Sequence, residues 1–111
     1  MRFNYEVIDN NLILQLDGEL DHHVAEKIRL DMDELISKKR SKNLVFDLKG
    51  LHFMDSSGIG VIMGRYKSIS KMGGKVAVIH VSEKVDKIFT LSGLYRIVEK
   101  CENLEEALNR M

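Results

Sequence analysis

The chain has 111 residues, and its 17 Lys and Arg residues balance its 17 Asp and Glu residues, so the formal net charge is zero. This length predicts one domain, residues 1–111, with a core large enough to fold without disulfides. The single cysteine, Cys101, excludes an internal disulfide and a multi-cysteine zinc site. The zero balance argues against nucleic-acid binding, which requires a basic excess.

No apolar stretch is long enough to span a membrane. Residues 1–6 lack the apolar core of a signal peptide. We therefore expect a cytoplasmic protein that contacts neither membrane nor nucleic acid.

The first predicted elements are a pair of strands and a helix. Apolar and polar residues alternate over residues 3–7 and again over residues 12–16, which is typical of half-buried strands. The Asp-Asn-Asn sequence at 9–11 tolerates a left-handed backbone and predicts a hairpin between them. Asp21 is predicted to cap a helix whose apolar residues follow at spacings of three and four, namely Val24, Ile28, Met32, Leu35 and Ile36.

Strands and helices alternate in the rest of the chain. We predict strands at 44–48, closed by Gly50, at 75–80, and at 96–98. A helix over 57–72 is stopped by two glycines, and Ser82 caps a second helix that ends at Gly93. Asn103, with Glu106 three residues later, begins the last helix.

The resulting order, ββαβαβαβα, predicts an α/β fold. Right-handed crossovers would build a mixed, mostly parallel sheet of about five short strands with about four helices. The order of the strands in the sheet stays open.

Loops that follow parallel strands gather at one edge of such a sheet, which is the usual place for a site. This topology makes neighbours of GELDHH at 18–23 and FMDSSG at 53–58. In the second loop, Asp55 or a serine can cap the following helix. Alternatively, a hydroxyl at this positive helix end would receive a phosphate well.

The glycines of this helix have two possible roles. Gly58 and Gly60 leave its first turn open to the backbone of another protein, whereas Gly60 and Gly64, four residues apart, predict close packing against a neighbouring helix. The methionines at 32, 54, 63 and 72 are predicted to fill the core, with Met54 as an exposed exception because its loop is short.

Motifs for catalysis and for metals are weak. A nucleophile elbow needs a glycine where Met54 stands, and a phosphate loop needs Gly-Lys where the chain has Gly64-Arg65. His22 and His23 are adjacent and would point about 100° apart on a helix, so they cannot chelate one metal well. We therefore expect no catalytic residue, no metal and no cofactor.

Three stretches carry a resemblance to a known family: GELDHH at 18–23, FMDSSGIGVIMGRYK at 53–67 and LSGL at 91–94. Together they resemble the anti-sigma factor antagonists of the STAS domain class, over essentially the whole chain. The family's phosphoacceptor is the first serine after the aspartate, which falls on Ser56, with Ser57 as the rival. The resemblance also implies a partner-binding surface on the two loops: Glu19, Asp21, His22, His23, Met54, Asp55, Ser56, Ser57, Gly58 and Ile59.

The resemblance implies a phosphorylation switch. The unphosphorylated protein would bind an anti-sigma factor that is also an ATP-using serine kinase, and so release the sporulation sigma factor, sigma-F. Phosphorylation of Ser56 by that kinase would end the binding, and a serine phosphatase would restore it. The chain would be a switch and not an enzyme, and we expect a monomer because no long apolar stripe is left after the core is filled.

Two alternatives stay open. The chain could be a STAS antagonist of another pathway, such as the general stress response, which differs only in its partner. It could also be a small nucleotide-binding or hydrolytic domain that uses Asp21, Asp55 and Ser56.

Overall fold

A computed structural model describes residues 1–111 and shows a five-stranded sheet between two unequal layers of helix. The strands are β1 (Arg2–Ile8), β2 (Asn11–Leu20), β3 (Asn43–Met54), β4 (Val76–Ile79) and β5 (Glu99–Cys101). The helices are α1 (Ala25–Lys39), α2 (Ser56–Lys71), α3 (Glu83–Ser92) and α4 (Leu104–Arg110), with a short 3-10 helix at Leu94–Arg96. The predicted α/β fold and the order of its elements are confirmed. None of the helices combines the length and the hydropathy needed to cross a membrane.

The strands lie in the sheet in chain order, β1-β2-β3-β4-β5. The β1–β2 pair is antiparallel and the other three pairs are parallel. Because every crossover is expected to be right-handed and moves one strand in the same direction, α1, α2 and α3 should share one face of the sheet. Only α4 is then left to cover the opposite face.

The buried residues divide between these two faces. A cluster of 21 buried residues fills the face under α1, α2 and α3, and it includes Phe46 of β3 and Phe89 of α3. A cluster of six buried residues, including Val45 of β3 and Ala107 of α4, fills the other face. Val45 and Phe46 are consecutive in β3 but belong to different clusters, because successive side chains of a strand point to opposite faces.

Strands β2 and β3 extend further than the sequence pattern predicts. Gly50 was expected to close β3, but it lies within β3 and faces Asp17 of β2. A Cβ atom at Gly50 would overlap the Asp17 carboxylate, so a larger residue would fit only if the Asp17 side chain moved. The register shifts on both sides of this pair, as in a β-bulge, and the strands then continue until Leu20 pairs with Met54. This extension brings the two predicted loops side by side.

The predicted strand at 96–98 is wrong. After Gly93, whose φ is 79°, the chain forms the 3-10 helix, and the residues that pair with β4 are Glu99–Cys101. The Val98 N–H donates instead to the Leu94 carbonyl oxygen at 3.1 Å, and both side chains are buried. The apolar residues of this stretch are buried beneath a turn. In the sequence, such a short apolar stretch looks the same as a short edge strand.

The helix α2 differs from expectation in its packing. A Cβ atom at Gly60 or Gly64 would meet nothing within 4 Å, so the predicted close packing at these glycines is wrong. Gly58 makes the close contact, because a Cβ atom there would lie 2.5 Å from the Leu20 carbonyl oxygen. Met72, predicted to fill the core, is 73% exposed because it lies beyond the last turn of α2.

A buried arginine joins α2 to α1, and no sequence pattern indicated it. The side chain of Arg65 is 8% exposed, and its Nε lies 3.0 Å from Asp33 Oδ1. Burial lowers the pKa of Arg65, while the charge of Asp33 opposes that shift. The two helices that follow the two predicted loops are therefore held together by a charge pair as well as by apolar contacts.

A pair of buried asparagines should be required for stability at the amino ends of the parallel strands. Asn43 donates to Asn11 Oδ1 at 3.0 Å and accepts the Lys75 N–H at 2.9 Å. We expect Asn43→Ala to lower the free energy of unfolding by about 1–3 kcal/mol, because it leaves partners unpaired in a buried place. Urea denaturation measures this, and Asn109→Ala, on the exposed side of α4, is the control, with a change within about 0.5 kcal/mol. Equal effects of the two variants would contradict the role given to Asn43.

Candidate functional site

The loops after β2 and β3 meet at the side chain of Asp55. The backbone N–H of His22 donates to Asp55 Oδ2 at 3.0 Å, and the His22 Nδ1 lies 3.4 Å from the same oxygen. The Asp55 N–H in turn points to the Leu20 carbonyl oxygen at 3.4 Å. The two loops that the sequence analysis made neighbours are therefore in direct contact.

The other carboxylate oxygen of Asp55 caps α2. Asp55 has an extended backbone, and its Oδ1 accepts the N–H groups of Ser57 at 2.9 Å and Gly58 at 3.2 Å. These N–H groups belong to the first turn of the helix and have no partner within it. One side chain thus begins α2 and fixes the preceding loop to the chain that leads into α1.

The surroundings of Asp55 keep it ionised. Partial desolvation would raise its pKa, but the hydrogen bonds from His22, Gly58 and Ser57 outweigh this and lower the pKa below the usual 3.8. Asp55 is therefore a carboxylate at neutral pH, and its negative charge lies at the positive end of α2.

Asp21 is held in a similar way, but it does not cap α1 with its side chain as predicted. The N-cap of α1 is Val24, which makes no side-chain cap bond, and Asp21 supports the helix through its carbonyl oxygen, which accepts the Ala25 N–H at 3.0 Å. The Asp21 carboxylate instead accepts a hydrogen bond from the His23 N–H at 3.0 Å. Desolvation opposes ionisation of Asp21, but its hydrogen bonds with His23 produce a net lowering of the pKa.

Ser56 and Ser57 begin α2 and differ in accessibility. Ser56 is exposed directly after the Asp55 cap, whereas Ser57 is half-buried and its N–H is bound by Asp55. Of the two serines, Ser56 is therefore the more exposed at this edge of the sheet.

The remaining predicted site residues divide by burial. Glu19, His22 and His23 are exposed, and the two histidine rings are tilted by 35° with their centroids 4.0 Å apart. Gly58 and Ile59 are buried in the first turn of α2. The expectation that Met54 is exposed is wrong, because it ends β3 on the α1–α3 face of the sheet and is 1% exposed. Met54 therefore packs in the core beneath this loop.

One neighbour of the site was missed by the sequence analysis. Lys84, in the first turn of α3, has its Nζ 5.2 Å from the centroid of the Phe53 ring. This contact brings a positive charge from α3 beside the chain that leads to Asp55. A lysine on an exposed helix carries no signal in the sequence that would have identified it.

The shape of this edge suits a macromolecule better than a small ligand. In α/β sheets, ligands bind in the crevice where the strand order reverses, and the order here has no such reversal among the parallel strands. The larger cavities lie elsewhere, for example one of about 470 Å³ whose lining includes Asp33, Arg40 and Met72. No three His, Cys, Asp or Glu side chains are grouped so that they could hold a metal ion.

Residues 2–107 match the family model of the STAS domain. The chain belongs to the STAS domain family. Among its relatives, the anti-sigma F factor antagonist of Paenibacillus polymyxa is 45% identical over 100 residues, which cover 90% of this chain and 86% of the relative. The anti-sigma-B factor antagonist of Bacillus subtilis is 31% identical over 101 residues, which cover 89% and 91% of the two chains.

Solved structures of STAS proteins have the same fold. The Thermotoga maritima protein tm1081 has a TM-score of 0.91 and 30% identity, with 97% of this chain and 92% of that chain covered. The anti-sigma factor antagonist SpoIIAA in its unphosphorylated form has a TM-score of 0.75 at 28% identity, with 98% and 96% covered. SpoIIAA of Bacillus in its phosphorylated form has a TM-score of 0.74 at 31% identity, with 98% of both chains covered.

Removal of the Asp55 carboxylate should loosen both loops at once. We expect Asp55→Ala to lower the Tm by about 5 °C. It should also speed amide hydrogen exchange at His22 as well as at Ser57 and Gly58, because one side chain binds all three. The control is Ser82→Ala, which removes the cap that α3 makes with the Val85 N–H. If exchange at His22 stays slow in Asp55→Ala, Asp55 does not join the loops.

The junction should persist to unusually low pH. Because the folded-state pKa of Asp55 lies below its usual 3.8, the stability that Asp55 contributes is complete above that value and is lost as the pH falls through the lowered pKa. Carbon-13 NMR of the Asp55 carboxyl group should give a midpoint below 3.8, and the His22 amide shift should follow the same titration. Asp55→Asn should abolish this step, and a midpoint above 3.8 would refute the assignment.

Proposed function

We propose that the chain is an anti-sigma factor antagonist whose binding is controlled by phosphorylation of Ser56. Its unphosphorylated form binds an anti-sigma factor that is also a serine kinase, and this binding releases the sporulation sigma factor, sigma-F. The observation that carries the proposal is the exposed Ser56 hydroxyl at the start of α2, directly beside the Asp55 junction. The names of its relatives supply the class of partner, an anti-sigma factor.

The proposed docking surface is the edge of the sheet around this junction. It consists of Glu19, Asp21, His22, His23, Asp55, Ser56 and Ser57, with the first turn of α2 through Gly58 and Ile59. Gly60 is exposed and has open space around it, so the backbone of a partner can approach α2 closely there. Met54 is not part of the surface because it is buried.

Electrostatics gives a reason for release after phosphorylation. A phosphate on Ser56 would add about −1.5 to −2 charges. It would lie at a surface that already carries the carboxylates of Glu19, Asp21 and Asp55, on a chain with a formal net charge of zero. In a docked complex, this charge must lose its hydration or face acidic groups of the partner, and both effects weaken binding.

Little refolding is needed for this switch. The phosphate would follow the N-cap of α2, where the positive end of the helix dipole favours a negative charge. SpoIIAA has the fold of this chain in both its unphosphorylated and its phosphorylated form, with TM-scores of 0.75 and 0.74, which supports a switch that keeps the fold.

In this proposal the chain is a substrate and not an enzyme. ATP and magnesium belong to the kinase, and a separate serine phosphatase removes the phosphate and restores binding. The second candidate is an antagonist in another pathway, and the Bacillus subtilis anti-sigma-B factor antagonist is the relative that represents it. The higher identity to an anti-sigma F factor antagonist, 45% against 31%, favours sigma-F.

A binding assay with the purified kinase tests the role of Ser56. We expect the wild-type chain to be retained by an immobilised anti-sigma F kinase and to be released when ATP is added. Ser56→Ala should be retained with or without ATP, because it offers no acceptor hydroxyl. Ser56→Asp should bind at least about tenfold more weakly, because it introduces a charge at the interface.

Ser57→Ala is the matched control for the acceptor, since it removes the neighbouring hydroxyl but should still be phosphorylated on Ser56 when ATP is added. Phosphate on Ser57 alone, found by peptide mapping, would refute the assignment to Ser56. Retention by an anti-sigma-B kinase but not by the anti-sigma F kinase would move the chain to the other pathway. ATP hydrolysis by the purified chain alone would favour the nucleotide-binding alternative.

A further inference from the structure

Strand β1 forms an open edge of the sheet. Its inner side pairs with β2 along residues 2–8, and its outer side pairs with no other strand. Tyr5 and Val7 of β1 are 47% and 44% exposed, so apolar surface accompanies the free backbone groups. Such an edge is a template for a strand of another chain.

The charges of β1 select one partner orientation. Arg2 and Glu6 are its only charged residues, and they lie on the same face of the strand because they are four positions apart. In an antiparallel pair of two β1 strands centred on Asn4, Arg2 of each copy stands opposite Glu6 of the other. A centre at Tyr5 would leave both charges opposite uncharged residues, and a parallel pair in register would place like charges together.

The aromatic residues of β1 fit the same register. With Asn4 at the centre, Phe3 of each copy stands opposite Tyr5 of the other, on the face of the strand that points toward α1. Phe3 and Tyr5 already line a groove of about 320 Å³ with residues of α1, and Lys39 of α1 lies 5.1 Å from the centroid of the Tyr5 ring. Opposite charges and aromatic pairs are both favourable across antiparallel strands.

We propose that β1 is a homodimer interface, in which two copies of the chain pair antiparallel about Asn4 and join their sheets. The pairing has two cross-strand ion pairs on one face and two aromatic pairs on the other. The monomer expected from the sequence rests on the view that the apolar residues of the chain are used in the core, and the exposed side chains of Tyr5 and Val7 are not. A single strand pair is smaller than the roughly 1,200 Å² of a stable interface, so the dimer depends on concentration.

This interface is independent of the proposed partner site. Because the two copies pair antiparallel, the sheet edges that carry Ser56 point in opposite directions in the joined sheet, and Asp55 and Ser56 follow β3, which β2 separates from the strand pair. Dimer formation therefore neither uses nor covers the Asp55 junction, and loss of the dimer should leave kinase binding unchanged.

Sedimentation velocity over a range of concentrations tests the proposal. The wild-type chain should pass from monomer to dimer as its concentration rises, and added salt should weaken the dimer because the ion pairs are exposed. Arg2→Glu or Glu6→Arg alone should weaken it by about tenfold or more, because each places like charges opposite one another. The double variant, Arg2→Glu with Glu6→Arg, should restore it, and circular dichroism checks that each variant is folded.

Cross-linking tests the register. Asn4→Cys should form a covalent dimer with a short thiol cross-linker, while Glu6→Cys alone should not, because its two copies would be about 13 Å apart along the strands. Cys101 does not compete because it is buried, which raises its pKa. A chain that stays monomeric at every concentration would overturn the proposal. A dimer whose affinity does not change with the charge reversals would overturn it as well. So would a dimer that cross-links through Glu6→Cys in preference to Asn4→Cys.

Discussion

The candidate site depends on one carboxylate that binds two parts of the chain. Asp55 accepts the first N–H groups of α2 with one oxygen and the His22 N–H with the other. The same residue therefore begins the helix that presents Ser56 and fixes the loop that presents Asp21 and the histidines. Hydrogen bonds to the ionised form keep the charge in place, so the junction is maintained under all conditions near neutrality.

The order of the strands explains why this edge is a surface and not a pocket. Since every parallel strand is added on the same side of the previous one, the sheet contains no point at which two crossovers diverge to open a crevice. The bulge at Gly50 extends β2 and β3 beyond the pattern visible in the sequence and presents their loops at the rim. A rim of this shape suits contact with a partner protein, and the phosphate proposed there would change the charge of the proposed contact area.

The sequence predicted the type and order of the elements well, because their signals are local. Alternation along β1 and β2, the apolar stripe of α1 and the glycines after α2 each lie within one element. Predictions failed where contacts between distant residues decide the outcome. Val98 is buried beneath a turn and not in a strand, Met54 points into the core, and Asp21 binds His23 and does not cap α1. The contacts of Arg65 with Asp33 and of Lys84 with Phe53 join residues that are distant in sequence, so no local pattern indicates them.

By itself, the sequence determined the α/β class, the single domain, the two neighbouring loops of the candidate site, and Ser56 as the candidate acceptor through a family resemblance. The tertiary structure alone decided the strand order, the accessibility of Ser56 over Ser57, and the role of Asp55 as a junction. The physical reason is the distance along the sequence over which each interaction acts. Periodicity and helix caps act over a few residues, whereas burial and the hydrogen bond between His22 and Asp55 join positions 33 residues apart. Such contacts exist only after the sheet has brought its strand ends together.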